Sequence, residues 1–128
     1  MAVLDTEHEQ FACDGISVVE LEGEIDIATA CGVHTRLIEK IAHGCVVVDL
    51  DEVAFIDASG VNALVGAMRE AARASRHLCL ASPPRQLSRI LDVLSLRSVM
   101  PTHSDADAAL AAHTSCGRKR ALVPRQKV

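Results

Sequence analysis

Apolar residues recur at helical spacing in four stretches of the chain. The clearest stripe comprises Val61, Leu64, Val65 and Met68, whose spacing places them on one face of a helix. These four side chains are expected to pack on a neighbouring sheet. The same periodicity predicts helices near residues 28–43, 60–75, 85–96 and 105–112.

Shorter apolar runs between these helices predict strands. The run CVVVDL at 45–50 is continuous and rich in β-branched residues, which is typical of a strand covered on both faces. Asp14-Gly15 lies between two apolar stretches and predicts a tight turn, so the first two strands should be antiparallel. The predicted strands lie near 8–13, 16–22, 45–50, 78–81 and 98–100.

The alternation of strands and helices indicates the fold class. Parallel neighbouring strands joined by right-handed crossovers are the usual result of such an order. The opening hairpin adds one antiparallel strand. The chain is therefore predicted to be a single α/β domain with a mixed, mainly parallel sheet and amphipathic helices packed on it. Its length of 128 residues suits one domain with one hydrophobic core.

The charge of the chain is unevenly distributed. Residues 114–128 hold five of the thirteen Lys and Arg residues and no acid, which predicts a basic, disordered tail after a domain at 1–113. The remainder carries eight basic residues against seventeen acidic ones, a net of −9. Such an acidic body, without Trp or Tyr, argues against nucleic acid as a direct partner.

Membrane, secretory and metal-binding signals are weak in this sequence. No apolar run approaches the roughly 18 residues that span a bilayer, and the first residues do not resemble a signal peptide, so a cytoplasmic location without membrane association is expected. The five cysteines and six histidines are scattered, and the spacing of His34 and His43 places them on different helix faces. No metal and no cofactor are predicted.

Ser59, in the segment FIDASG at 55–60, is the most distinctive polar residue because it lies between a predicted buried strand and a predicted helix. A serine hydrolase would need glycines two residues before and two after the nucleophile, where this chain has Asp57 and Val61. The downstream histidines His77 and His103 show no recognisable triad order. The sequence therefore predicts no enzymatic activity and no catalytic residue.

Two further interpretations concern the acids near this serine. Asp49 and Asp51 could serve as phosphoacceptors at the end of a strand, as in receiver domains, but the expected later lysine is absent from LCLASPP. A simpler interpretation is that Asp57 or Ser59 caps the following helix, which would contribute about 0.5–2 kcal/mol. By the same logic Asp26 is placed to cap the first helix, and Ser104 with Asp107 resembles a capping box before the last.

A set of short motifs over residues 10–112 resembles the STAS domain, and more narrowly the bacterial anti-sigma-factor antagonists. Their order and spacing carry this resemblance more than any one of them. The motifs are GEID at 23–26, Thr29-Ala30, VVVDL at 46–50, FIDASG at 55–60 and Ser82-Pro83.

The resemblance implies a phosphorylation switch at Ser59. In that family an anti-sigma factor with serine kinase activity phosphorylates the matching serine. The unphosphorylated antagonist binds this kinase and so frees a sigma factor, phosphorylation ends the binding, and a phosphatase restores it by removing the phosphate. The resemblance implies a partner-binding set that consists of Asp26, Asp57, Ser59, Gly60 and Asn62, with Asn62 where the family often has glycine. The alternative is a constitutive structural STAS subunit of a larger regulatory or transport complex.

Overall fold

Four parallel strands form one sheet in chain order. The computed structural model describes residues 15–116, with side chains to residue 113. The strand order is β1-β2-β3-β4, and every neighbouring pair is parallel. The strands are β1 (Ile16–Ile25), β2 (Cys45–Ile56), β3 (Leu78–Ala81) and β4 (Thr102–His103).

A helix follows each strand, as the alternating periodicity predicts. Three helices cross over between successive parallel strands, and the fourth follows the last strand. The helices are α1 (Ala30–Ile41), α2 (Ala58–Arg73), α3 (Arg85–Val93) and α4 (Ala106–Cys116). Each lies within a few residues of its predicted position. Within residues 15–116 no helix is long and apolar enough to cross a membrane.

The larger core lies between one face of the sheet and the helices α1, α2 and α3. Val48 of β2 and Leu64 of α2 are each 0% exposed there, and Val61 is also buried, whereas Val65 and Met68 are half-buried at its margin. The predicted packing of this helix stripe on the sheet is thus confirmed. Further members of this core include Leu37, Ile41, Leu87, Leu91 and Met100.

The opposite face of the sheet is covered by α4. Val47 of β2 and Ala81 of β3 are both fully buried, and they form a smaller cluster with Cys79 and Ala109. Because Val46 and Val48 belong to the larger core while Val47 belongs to this one, β2 is buried on both faces. The continuous β-branched run at 45–50 was correctly interpreted as such a strand.

The structure corrects the boundaries of two strands. β2 runs to Ile56, six residues beyond its predicted end, because it pairs with β1 past the end of β3. The last strand is not at 98–100, where backbone N–H groups of Val99 and Met100 donate to Leu96 and close a turn. Pairing begins after that turn, with the Leu80 N–H donating to the Pro101 carbonyl at 2.9 Å.

The ends of the described segment limit two other predictions. The antiparallel strand near 8–13, which would make the sheet mixed, lies outside the described residues. The helix α4 continues to Cys116, and the rest of the predicted basic tail also lies outside them. At the start of α4 the capping carboxylate belongs to Asp105, which accepts the Ala108 N–H at 2.8 Å, and not to a Ser104–Asp107 box.

Replacement of Leu64 tests the packing of α2. Leu64→Ala is expected to lower the free energy of unfolding by about 2–5 kcal/mol, since it would leave a cavity between α2 and the sheet. Asn62→Ala on the exposed face of the same helix is the control, with an expected change within about 0.5 kcal/mol. Chemical denaturation measures both. A Leu64→Ala protein as stable as wild type would contradict this account of the core.

Candidate functional site at the ends of β1 and β2

Two acids follow the paired ends of β1 and β2. Ile25 and Ile56 are register partners, and the next residue along each strand is Asp26 or Asp57. The Asp57 N–H donates to the Ile25 carbonyl at 3.1 Å, so the pairing extends to the first residue after β2. Asp26 and Asp57 are consequently neighbours at the carboxyl edge of the sheet.

Asp57 is the N-cap residue of α2. Its backbone is extended, and its Oδ1 accepts the N–H of Ser59 at 2.8 Å and of Gly60 at 3.1 Å. These N–H groups belong to the first helical turn, which has no intrahelical partners for them. The capping prediction is confirmed for Asp57. The carboxylate therefore holds the backbone of Ser59 in one position.

Ser59 is the second residue of α2 and is half-buried. Its hydroxyl makes no hydrogen bond to any residue within 15–116, so this oxygen does not stabilise the described fold through hydrogen bonding. The helix N-terminus carries a partial positive charge, which favours a negative group attached to this oxygen. The position suits a hydroxyl that is modified without local refolding.

Gly60 has a structural role that the sequence did not reveal. It is buried, and a Cβ atom here would lie 2.5 Å from Cγ1 of Ile56 and 2.8 Å from the backbone oxygen of Ile25. The glycine is needed because α2 starts in contact with the end of β1. The resemblance placed Gly60 in the partner-binding set, but its close contacts are with Ile25 and Ile56 inside the domain.

The loop after β1 is organised by Asp26 and Thr29. Oδ1 of Asp26 accepts the N–H of Ala28 at 3.0 Å and of Thr29 at 3.3 Å, and the Thr29 hydroxyl donates to the Glu24 carbonyl at 3.1 Å. Asp26 thus holds the turn that precedes α1, whereas Thr29 is the N-cap residue. The turn leaves Ile27 outside, with 81% of its surface exposed.

The residues after β1 and at the start of α2 together form a partly exposed surface at this edge of the sheet. We call it the switch surface and define it as Asp26, Ile27, Ala58, Ser59 and Asn62. Ala58 and Asn62 are exposed and lie one turn apart on α2, and Ile27 adds a large apolar side chain. Of the sequence-predicted partner-binding residues, Asp26, Ser59 and Asn62 lie on this surface, with Asp57 as the cap beneath it and Gly60 buried.

The geometry does not support a serine hydrolase. α2 has 16 residues and is about 24 Å long. Ser59 lies at its start, and His77 lies four residues beyond its end, at the opposite edge of the sheet. His103 ends β4, two strands away from β2. Within the described part of the chain no histidine is hydrogen-bonded to Ser59.

The geometry also does not support a receiver domain, in which Asp49 or Asp51 would accept a phosphoryl group at the end of a strand. Asp49 and Asp51 lie inside β2 rather than at its end, because the strand continues to Ile56. Asp49 is a register partner of Glu20 in β1 and of Ala81 in β3, and its Oδ1 accepts the Asp51 N–H at 3.1 Å. The acid that follows β2 is Asp57, and it is engaged as a helix cap.

Sequence analysis missed a cluster at the other edge of the sheet. Cys45, His77 and His113 are far apart in the chain, but their ligand atoms all lie within 4.8 Å of one another. Neither spacing nor periodicity could indicate this, since the three residues come from the start of β2, the position before β3 and α4. The neighbouring Cys79 belongs to the smaller core cluster, and its burial, together with the nearby Cys45, raises the pKa of its thiol to about 11.

Comparison with known proteins agrees with the fold. The sequence model of the STAS domain matches residues 12–109. This chain belongs to the STAS domain family. None of the curated proteins matches it significantly in sequence.

Solved structures of two functional kinds are similar to this chain. An anti-sigma factor antagonist from Mycobacterium paratuberculosis is 25% identical, with a TM-score of 0.68 over 79% of this chain and 87% of that chain. The Bacillus cell fate determinant SpoIIAA in its phosphorylated form is 19% identical, with a TM-score of 0.65 over 80% and 95%. A sulfate transporter family protein from Wolinella succinogenes is 18% identical, with a TM-score of 0.70 over 89% and 97%.

Replacement of Gly60 tests the contact between α2 and β1. Gly60→Ala should lower the free energy of unfolding by about 1–3 kcal/mol, because the new methyl group overlaps the Ile25 backbone. The matched control is Gly32→Ala in α1, where a Cβ meets nothing within 4 Å. That control should gain about 0.5–1 kcal/mol from helix propensity. If both variants were stabilised equally in thermal and chemical denaturation, the proposed contact would be wrong.

Proposed function

We propose that this protein is an anti-sigma-factor antagonist whose binding to an anti-sigma factor is controlled by phosphorylation of Ser59. The observation that carries the proposal is the position of the Ser59 hydroxyl. It lies at a capped helix N-terminus, has no hydrogen bond within the described residues and is at the same edge of the sheet as the exposed side chain of Ile27. The similarity to an antagonist from Mycobacterium paratuberculosis supports the same function.

The partner of this surface is proposed to be an anti-sigma factor with serine kinase activity. A docking surface needs desolvated apolar contacts, which Ile27 and Ala58 supply, and polar groups that fix orientation, which Asp26 and Asn62 supply. The kinase must place its γ-phosphate close to Ser59. A partner that covers the switch surface would therefore reach the hydroxyl that it modifies.

Phosphorylation would oppose binding directly. A phosphate adds about −1.5 to −2 charges and three acceptor oxygens in the middle of the docking surface. Asp26 and Asp57 already make this edge negative. The first turn of α2 keeps its cap, so the charge alters the interface without unfolding the helix. A phosphatase would remove the group and restore binding, and the whole cycle would take place in the cytoplasm.

A second function is favoured by the similarity to transporter domains. The sulfate transporter family protein from Wolinella succinogenes and the SulP STAS domain from Vibrio cholerae share this fold. This chain would then be a constitutive STAS subunit of a larger complex. In that case the switch surface would bind its partner whether or not Ser59 carries a phosphate.

Phosphorylation of Ser59 should weaken binding of the anti-sigma factor by roughly 100-fold or more, because an interface would have to desolvate the phosphate beside Asp26 and Asp57, which costs several kcal/mol, and 1.4 kcal/mol is tenfold. Calorimetry with the unmodified and the phosphorylated protein measures this difference. Ser59→Ala should bind as wild type and resist inactivation by the kinase. Ser59→Asp should bind with intermediate affinity, since a carboxylate carries less charge than a phosphate.

Ser104→Asp is the matched control for added charge. Ser104 is exposed and follows β4 at the same edge of the sheet, two strands away from β2. Its replacement should leave partner affinity nearly unchanged. Equal binding of phosphorylated and unphosphorylated protein would reject the switch and support the constitutive subunit.

Ile27 provides a separate test of the docking surface. Ile27→Ser should reduce partner affinity by about 10-fold or more, because the apolar contact is lost, while the melting temperature stays within about 2 °C of wild type. Val93→Ser is the control: Val93 is 76% exposed against 81% for Ile27, but it lies at the end of α3. If Val93→Ser weakened binding and Ile27→Ser did not, the docking surface would lie elsewhere.

A further inference from the structure

The amino ends of β2 and β3 carry a group of potential metal ligands. Cys45 is the first residue of β2, and His77 immediately precedes β3. Val46 and Leu78 are register partners, and the Val46 N–H donates to the His77 carbonyl at 2.9 Å, so Cys45 and His77 lie side by side. His113 on α4 completes the group from the covering helix. This group lies at the edge of the sheet opposite Ser59.

The distances in this group approach those of a zinc site. Cys45 Sγ lies 3.4 Å from His77 Nδ1, and the rings of His77 and His113 meet edge to face with centroids 5.1 Å apart. Tetrahedral Zn²⁺ with bonds of about 2.3 Å to sulfur and 2.0–2.1 Å to nitrogen places sulfur and nitrogen roughly 3.5 Å apart. All three ligand atoms lie within 4.8 Å of one another. The third ligand therefore needs to move by at most about 1.5 Å.

The environment of His113 gives an independent reason for a ligand. Its Nε2 atom is buried and has no hydrogen-bond partner among the described residues. Buried polar atoms in native proteins are nearly always paired with protein, water or an ion. A cation coordinated by this ring would supply the partner that the described residues do not.

A cavity gives access to the two histidines. It has a volume of about 540 Å³ and is lined by His77 and His113 together with residues of α2, β3 and α4. β4 pairs only with Leu80 and Ala81, so on its β4 side the first half of β3 borders this cavity, while its other side pairs with β2. The cavity offers an entry path and room for a water molecule as the fourth ligand.

We propose that Cys45, His77 and His113 bind a zinc-class divalent cation. One thiolate and two imidazoles form a donor set that suits Zn²⁺, whereas Mg²⁺ and Ca²⁺ require oxygen ligands. The cation ties α4 to the amino ends of β2 and β3. Its site is separate from the switch surface and does not depend on the function proposed for Ser59.

Cobalt titration of the full-length chain tests this proposal. Cys13, Cys31 and Cys116 are first replaced by serine, so that a thiolate signal can come only from Cys45 or Cys79. After treatment with a chelator, Co²⁺ should bind in one equivalent, with a thiolate charge-transfer band and the intense visible bands of a tetrahedral site. Zn²⁺ should displace it and raise the melting temperature, because a cation that binds the folded state stabilises it.

Ligand variants and matched controls then decide which residues bind. Cys45→Ser and His113→Ala should weaken cobalt binding by roughly 100-fold or more, since each removes one of three ligands. Cys79→Ser and His103→Ala should bind as the parent, although both residues line the same cavity. Circular dichroism checks the folding of each variant. If Cys45→Ser does not fold, cobalt binding by His113→Ala alone decides whether this cluster binds the cation. Absence of a thiolate band in the parent, or an unchanged band in His113→Ala, would overturn the proposal and leave a buried hydrogen bond between Cys45 and His77.

Discussion

The close contact between the start of α2 and the end of β1 determines the geometry of the switch surface. Gly60 lets the helix approach the Ile25 carbonyl, and that carbonyl also accepts the Asp57 N–H. Asp57 is thereby fixed as the cap, and its carboxylate fixes the backbone of Ser59. The backbone of Ser59 is thus held by interactions that are all internal to the domain. The position of Ser59 at the start of α2 thus depends on a buried glycine.

This arrangement explains how a charge can be added with little change in structure. A phosphate at a helix N-terminus is near favourable partial charge, while the nearby carboxylates oppose it. These effects partly cancel within the domain. No such cancellation occurs in an interface, where a partner would have to desolvate the phosphate. The same group can therefore have little effect on the free energy of unfolding and a large effect on binding.

Sequence patterns predicted the elements well where burial alone decides them. The run at 45–50 and the stripe from Val61 to Met68 gave the correct core, because periodicity reports which side chains avoid water. The patterns gave wrong strand boundaries where strand pairing or a turn sets them. Pairing with β1 extends β2 beyond its predicted end, and a turn before Pro101 occupies the predicted position of the last strand. In the candidate site the cap at Asp57 followed from local chemistry. The inner contact of Gly60 and the exposure of Ile27 did not, because both depend on the neighbouring strand.

The two edges of the sheet carry chemistry of different kinds, and the fold keeps them separate. Ser59 lies at the carboxyl end of β2, and the Cys45 group lies at its amino end, with α4 as its outer wall. Coupling between two sites requires an element with two arrangements that both sites bias. The start of α2 is capped and packed against β1, and β2 is buried on both faces, so neither provides such an element. Phosphorylation at one edge is therefore expected to act on a partner directly, whereas a cation at the other edge would stabilise the domain.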